Sequence, residues 1–184
     1  MASNPNDMNH FWRSAGPAKW FKKSATFDGA LQLRFEPVHH AASRGEYDAW
    51  IDTAEGALAL VLLLDQVPRN LYRGSAHAFA TDAKARAIAK IAVARGYDSQ
   101  VEPLIRPFFY LPFEHSEALS DQAESVRLTT QLRDQEGDED TLKWAMIHHD
   151  IIVRFGRFPH RNGAFGRIST AEEEMFLADG GFSG

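Results

Sequence analysis

None of the 184 residues is a cysteine. That excludes disulfide bracing, thiolate zinc sites, iron–sulfur clusters and a cysteine nucleophile, and it suits a reducing cytoplasm. Long apolar runs are also missing: the longest, Ala57 to Leu64, falls far short of the ~20 residues that cross a bilayer. Met1 to Trp12 is polar and lacks the apolar stretch of a signal peptide. These absences predict a soluble, cytoplasmic chain with no membrane partner. Alternating β-branched runs with hairpin turns do not occur, so no strands are expected. There is no phosphate-cradling glycine loop, dinucleotide fingerprint or nucleophile elbow.

No His-x-x-x-His spacing occurs. His39-His40 and His148-His149 are adjacent pairs, whose side chains diverge by about 100° on a helix. A set of His115, His148 and Asp150 has no supporting spacing, and neither a metal nor a cofactor is expected.

What is present is a helical pattern. The length fits a single domain over residues 1–184 with a continuous apolar core. Asn6 or Asp7 can cap a first helix carrying Phe11 and Trp12. Gly16-Pro17 ends it and starts a short one with Trp20 and Phe21, an aromatic corner assigned to packing. Phe27, Leu31 and Phe35 recur at helical spacing, and Pro37 is expected to kink or break that helix. Thr53 caps the most apolar helix, Ala54 to Gln66, which is apolar almost all round and so central. It is expected to end at Val67-Pro68, since the residue before a proline leaves the helical region. An Ala-rich helix runs from Thr81 or Asp82 to Gly96, and Leu111 to Glu117 is read as a loop or turn. Two helices flank the acidic hinge Glu136 to Asp140. The second sets Trp144, Ile147, His148, Ile151 and Phe155 on one face, with Asp150 and Arg154 spaced to pair. Thr170 and Glu173 form a capping box for a last helix through Ala178. The expected fold class is all-α, an antiparallel array of about eight to ten short helices.

Twenty basic against twenty-five acidic side chains give a net charge of −5, which argues against a nucleic-acid partner. The distribution is uneven. Ile151 through Ala171 contains no acid but carries Arg154, Arg157, His160, Arg161 and Arg167, and Gln66 through Thr81 is likewise acid-free with Arg69, Arg73 and His77. Basic islands in an acidic chain point to a local anion site. Two stretches rhyme: Pro68-Arg69-Asn70 with Tyr72, Arg73 and Ser75, and Pro159-His160-Arg161-Asn162 with Phe165, Arg167 and Ser169. Lying half a chain apart, they suit an internal repeat. The recurrence of Pro, Asn and Gly wherever helices stop accounts for them better, since the rest of the two halves does not align.

Three motifs resemble the bacterial family of domain of unknown function 924: Leu62-Leu63-Leu64-Asp65-Gln66-Val67-Pro68-Arg69-Asn70, Leu111-Pro112-Phe113-Glu114-His115-Ser116-Glu117, and Arg154-Phe155-Gly156-Arg157-Phe158-Pro159-His160-Arg161-Asn162. The opening His10-Phe11-Trp12, the Lys19-Trp20-Phe21 corner and the closing Phe176-Leu177 with Gly180-Gly181-Phe182 are similar too. Arg13 departs from the family pattern, which has a third aromatic there. The resemblance implies a helical fold akin to tetratricopeptide repeat proteins and brings with it no activity, substrate or cofactor.

The first functional reading is a pocket for a small anionic molecule, phosphate or carboxylate. Arg69, Asn70, Arg73, Arg157, His160, Arg161 and Asn162 would supply donors, with Asp65, Glu114, His115 and Glu117 around them. In a second reading the same pocket is that of a hydrolase or lyase, with His115 or His160 as acid and base and Glu114, Glu117 or Asp65 orienting it. A third is a helical module that receives a peptide or protein. Against all three stands a purely structural role, in which the arginines brace helix ends.

Overall fold

The computed structural model describes residues 4–183. The described residues contain helices and turns and no strand. The chain groups into two compact units, Met1–Arg73 with His77–Pro112, and Gly74–Ala76 with Phe113–Gly184.

The first unit opens with α1 (Pro5–Ala15), capped by Asn4, whose side chain accepts from the Asn6 N–H. After Gly16 comes α2 (Pro17–Trp20). Trp12 and Trp20 stack with ring centroids 6.4 Å apart, and Phe108 meets both rings edge-on. The Trp20 indole donates to the Trp12 carbonyl at 2.7 Å. Trp12 and Trp20 are therefore core, whereas Phe21, expected to pack with them, is 69% exposed. Arg13, the departure from the family pattern, forks onto Glu55 with two 2.8 Å bonds and reaches Glu102 at 2.8 Å.

The centre of this unit is α4 (Ala54–Val61), capped by Thr53. From Ala57 through Leu64 every residue is fully buried. It packs on α1 and on α6 (Asp82–Ala94).

Neither Pro37 nor Pro68 ends its helix. Pro37 lies inside a continuous α3 (Ala25–Ser43). Pro68 does not end the central helix. Leu62–Gln66 forms a π turn in which the Val67 N–H donates to the Leu62 carbonyl, and α5 (Val67–Leu71) continues beyond it. Proline offers no N–H, so nearby carbonyls need other donors. The Nδ1 of buried His39 bonds the Leu63 carbonyl at 2.8 Å, the Thr81 hydroxyl donates to that of Leu64, and an Arg69 guanidinium nitrogen donates to that of Asp65. Thr81 consequently makes no side-chain cap for α6. Three side chains thus replace backbone donors, and the helix runs on.

The second unit pairs α8 (Leu119–Glu136) with α9 (Glu139–Phe155). The segment expected as a loop is helical at its start, α7 (Leu111–Glu114). Asp138 caps α9 by accepting from the Thr141 N–H at 3.0 Å, and Gly156 ends it. Ile151, Ile152 and Phe158 form an apolar cluster against which Ile147, Phe155, Phe176 and Phe182 pack. Trp144, expected on the buried stripe, is instead 47% exposed. Arg154 pairs with Glu172 at 2.9 Å rather than with Asp150, because α10 (Ala171–Ala178) offers a carboxylate from across the chain. That helix begins with the expected capping box of Thr170 and Glu173.

Candidate functional site

The residues singled out in the sequence fall into two groups, one in each unit. In the first, Asp65 is fully buried and lies on the π turn. Arg69, one turn on, reaches Asp65 Oδ1 at 3.2 Å and forks onto Asp82 with bonds of 2.8 and 2.9 Å. Asn70 donates to Asp28 at 2.8 Å, and Arg73 contacts both oxygens of the same carboxylate. The acids that receive these groups, Asp28 and Asp82, had no signal in the sequence, since each lies on a helix distant in the chain.

In the second unit the same pattern recurs. Arg157 forks onto buried Glu173 at 2.6 and 2.7 Å, and Asn162 donates to Glu173 and to Ser169. Arg157 foremost, with the Thr170 N–H and Asn162, holds the Glu173 carboxyl down at about 2 although its surroundings oppose ionisation. Glu117 accepts from the Phe158 N–H and from both ends of the Arg167 fork. Burial disfavours its charge, but Arg167, the Phe158 N–H and nearby Arg161 outweigh that and keep its pKa below the ordinary value. The basic islands of the sequence are thus largely neutralised by carboxylates of their own unit.

A second feature of this unit is a cluster of imidazoles. His148 and Glu114 are both buried, and Nδ1 of His148 lies 3.1 Å from Glu114 Oε1 and donates to the Trp144 carbonyl at 2.9 Å. Both oxygens can only accept, so the hydrogen on Nδ1 lies between them. The His115 ring meets that of His148 at 6.4 Å, and Phe158 lies 5.5 Å from His148 and 5.6 Å from His160. Arg161 is buried, stacks over Phe158 at 4.5 Å and donates to the His115 carbonyl at 3.0 Å.

His160 is held neutral. Burial, then the positive Arg161 and the neighbouring His148 and His115, push its pKa down from 6.5 to about 3. Its Nδ1 is buried without a hydrogen-bond partner, as is Oδ1 of Asn162 two residues on. The sequence pointed to His115, His160 and Glu114. It assigned His148 to the apolar stripe of α9, and its partnership with Glu114 had no local signal. Among the described residues no group of three or more His, Cys, Asp or Glu is placed to hold a metal ion.

Fold and site together define an all-helical protein with internally neutralised arginine turns and one buried carboxylate–imidazole cluster. The chain belongs to the DUF924 family, bacterial proteins of unknown function, whose model matches residues 8–181. It is similar to the solved structure of a protein of unknown function from Agrobacterium tumefaciens, with a TM-score of 0.91 and 47% identity over 96% of this chain and 97% of that one. Nothing among the curated proteins matches it. No helix of the described residues is long and apolar enough to cross a membrane.

Proposed function

We propose that this chain transfers a proton on a small anionic molecule, as a hydrolase or lyase does, with His148 and Glu114 as the acid–base pair. The observation that carries this reading is the 3.1 Å approach of two buried groups, the Glu114 carboxylate and His148 Nδ1. A carboxylate at Nδ1 orients an imidazole and supports the positive charge that Nε2 acquires on taking a proton. Neutral His160 adds a second imidazole beside it without adding charge. Arg161 supplies a positive potential that favours a carboxylate or phosphate group.

Binding of an anion without chemistry is the second reading, favoured by the burial of Arg161 next to these rings.

The test is a thermal-shift screen against phosphates, nucleotides, carboxylates and short peptides at fixed salt, in the natural protein, His148→Gln and Arg161→Ala. A ligand specific to the native state raises stability by about 2.7 kcal/mol at a hundredfold excess over its Kd. The proton-transfer reading expects a compound whose binding survives His148→Gln while its turnover is lost. Binding lost in Arg161→Ala with no turnover in any variant selects the second reading. Shifts from peptides alone move the function to a protein partner.

A further inference from the structure

The segment after α10 turns back onto the imidazole cluster. The Gly181 N–H donates to the Phe176 carbonyl at 2.9 Å. A Cβ at Gly181 would lie 2.5 Å from that oxygen and 2.6 Å from two carbons of the Phe176 ring. Only glycine allows the backbone to pass this close. The turn delivers Phe182 against His148, with centroids 4.5 Å apart, and against His160 at 5.1 Å, both edge-on. Trp144 borders the same ring at 6.1 Å. Phe182 is only half-buried, so it covers the histidines while its own outer face meets solvent. Gly180 and Gly181 also border an open depression of about 320 Å³ with Arg154, Glu172, Met175 and Phe176. The turn therefore has open space on one side.

We propose that Gly180-Gly181-Phe182 is a hinged strap that closes the histidine site by seating Phe182 on His148 and His160. Its regulatory meaning rests on the proton-transfer reading, whereas the closure itself does not. Closed, the ring excludes water from the two imidazoles and contributes to the burial that keeps His160 neutral. Open, it would expose them to a ligand and let His160 titrate closer to an ordinary histidine.

The experiment follows hydrogen–deuterium exchange at the imidazole C2 positions by mass spectrometry over a pH series, in the natural protein, Phe182→Ala, Phe182→Leu and Gly181→Ala. The profile gives a rate and a titration midpoint for each histidine without needing any activity. We expect several-fold faster exchange at His148 and His160 in Phe182→Ala and in Gly181→Ala, a midpoint for His160 displaced upward, and no change at His10 or His40. Phe182→Leu, which keeps an apolar cover, should fall between. Far-UV circular dichroism and a cooperative melt establish that each variant is folded. Natural rates and midpoints in folded Phe182→Ala and Gly181→Ala would overturn the strap. A change at His148 and His160 in a protein without turnover would keep the strap and reject the catalytic reading.

Discussion

The Thr81 hydroxyl donates to the carbonyl of Leu64, which with that of Leu63 is an acceptor that an N–H at position 68 would serve in α or π register. Thr81→Val keeps the shape and removes the donor, leaving a buried carbonyl unsatisfied. The expected cost is about 1–3 kcal/mol, measured by urea denaturation. Pro68→Ala restores a backbone N–H, so the cost of Thr81→Val should shrink in that background. A double-mutant cycle without coupling would show that the two residues act independently.

Gly56 marks a close approach. A Cβ there would collide with the Trp50 carbonyl of the 3-10 turn Asp48–Asp52. Gly56→Ala should destabilise the protein by about 1–3 kcal/mol, although alanine is ordinarily the better helix former. A melt at or above the natural temperature would mean that the turn moves aside freely.

The start of α10 offers a graded comparison. Thr170→Ala removes one reciprocal cap and should cost about 1 kcal/mol. Glu173→Gln weakens that cap together with the Arg157 fork. It should therefore be the more damaging of the two in chemical denaturation.

Acid stability should carry the signature of His160. Its pKa falls from 6.5 to about 3 on folding, so between these values the unfolded chain holds a proton that the folded one refuses. Stability contributed this way is constant above pH 6.5 and declines as the pH falls through the window. Glu173, depressed from 4.5 to about 2, adds a second loss below pH 4.5. Denaturation midpoints taken from pH 7 to pH 5 should slope less in His160→Gln than in the natural protein. Parallel curves would mean that His160 titrates normally in the fold.

Where the sequence was informative, local chemistry set the outcome. Thr53 and the Thr170–Glu173 box both cap helices, because a cap and its N–H partner lie within one turn. Helical spacing likewise placed Ala57 to Leu64 in the core. Pro68 misled because a proline removes a single backbone N–H, and whether the helix survives depends on donors such as His39 and Thr81 that lie elsewhere in the chain. The arginine loops were visible as basic islands, but Asp28, Asp82 and Glu173 reach them from other helices, so local charge balance was not. Glu114 and His148 belong to separate elements for the same reason, and α10 decided the partner of Arg154.

The π turn at Leu62–Gln66 accommodates one residue more than an α-helical turn would. It therefore works as a buffer for that residue. Deleting one residue from Leu62 to Leu64 would let the helix close as a plain α-helix, because the wide turn takes up the extra residue and the narrower one does without it. Asp65, Arg69 and Asn70 would then keep nearly their present facing. Homologous chains one residue shorter here are thus expected to keep both their apolar and their polar groups in register on either side of the turn.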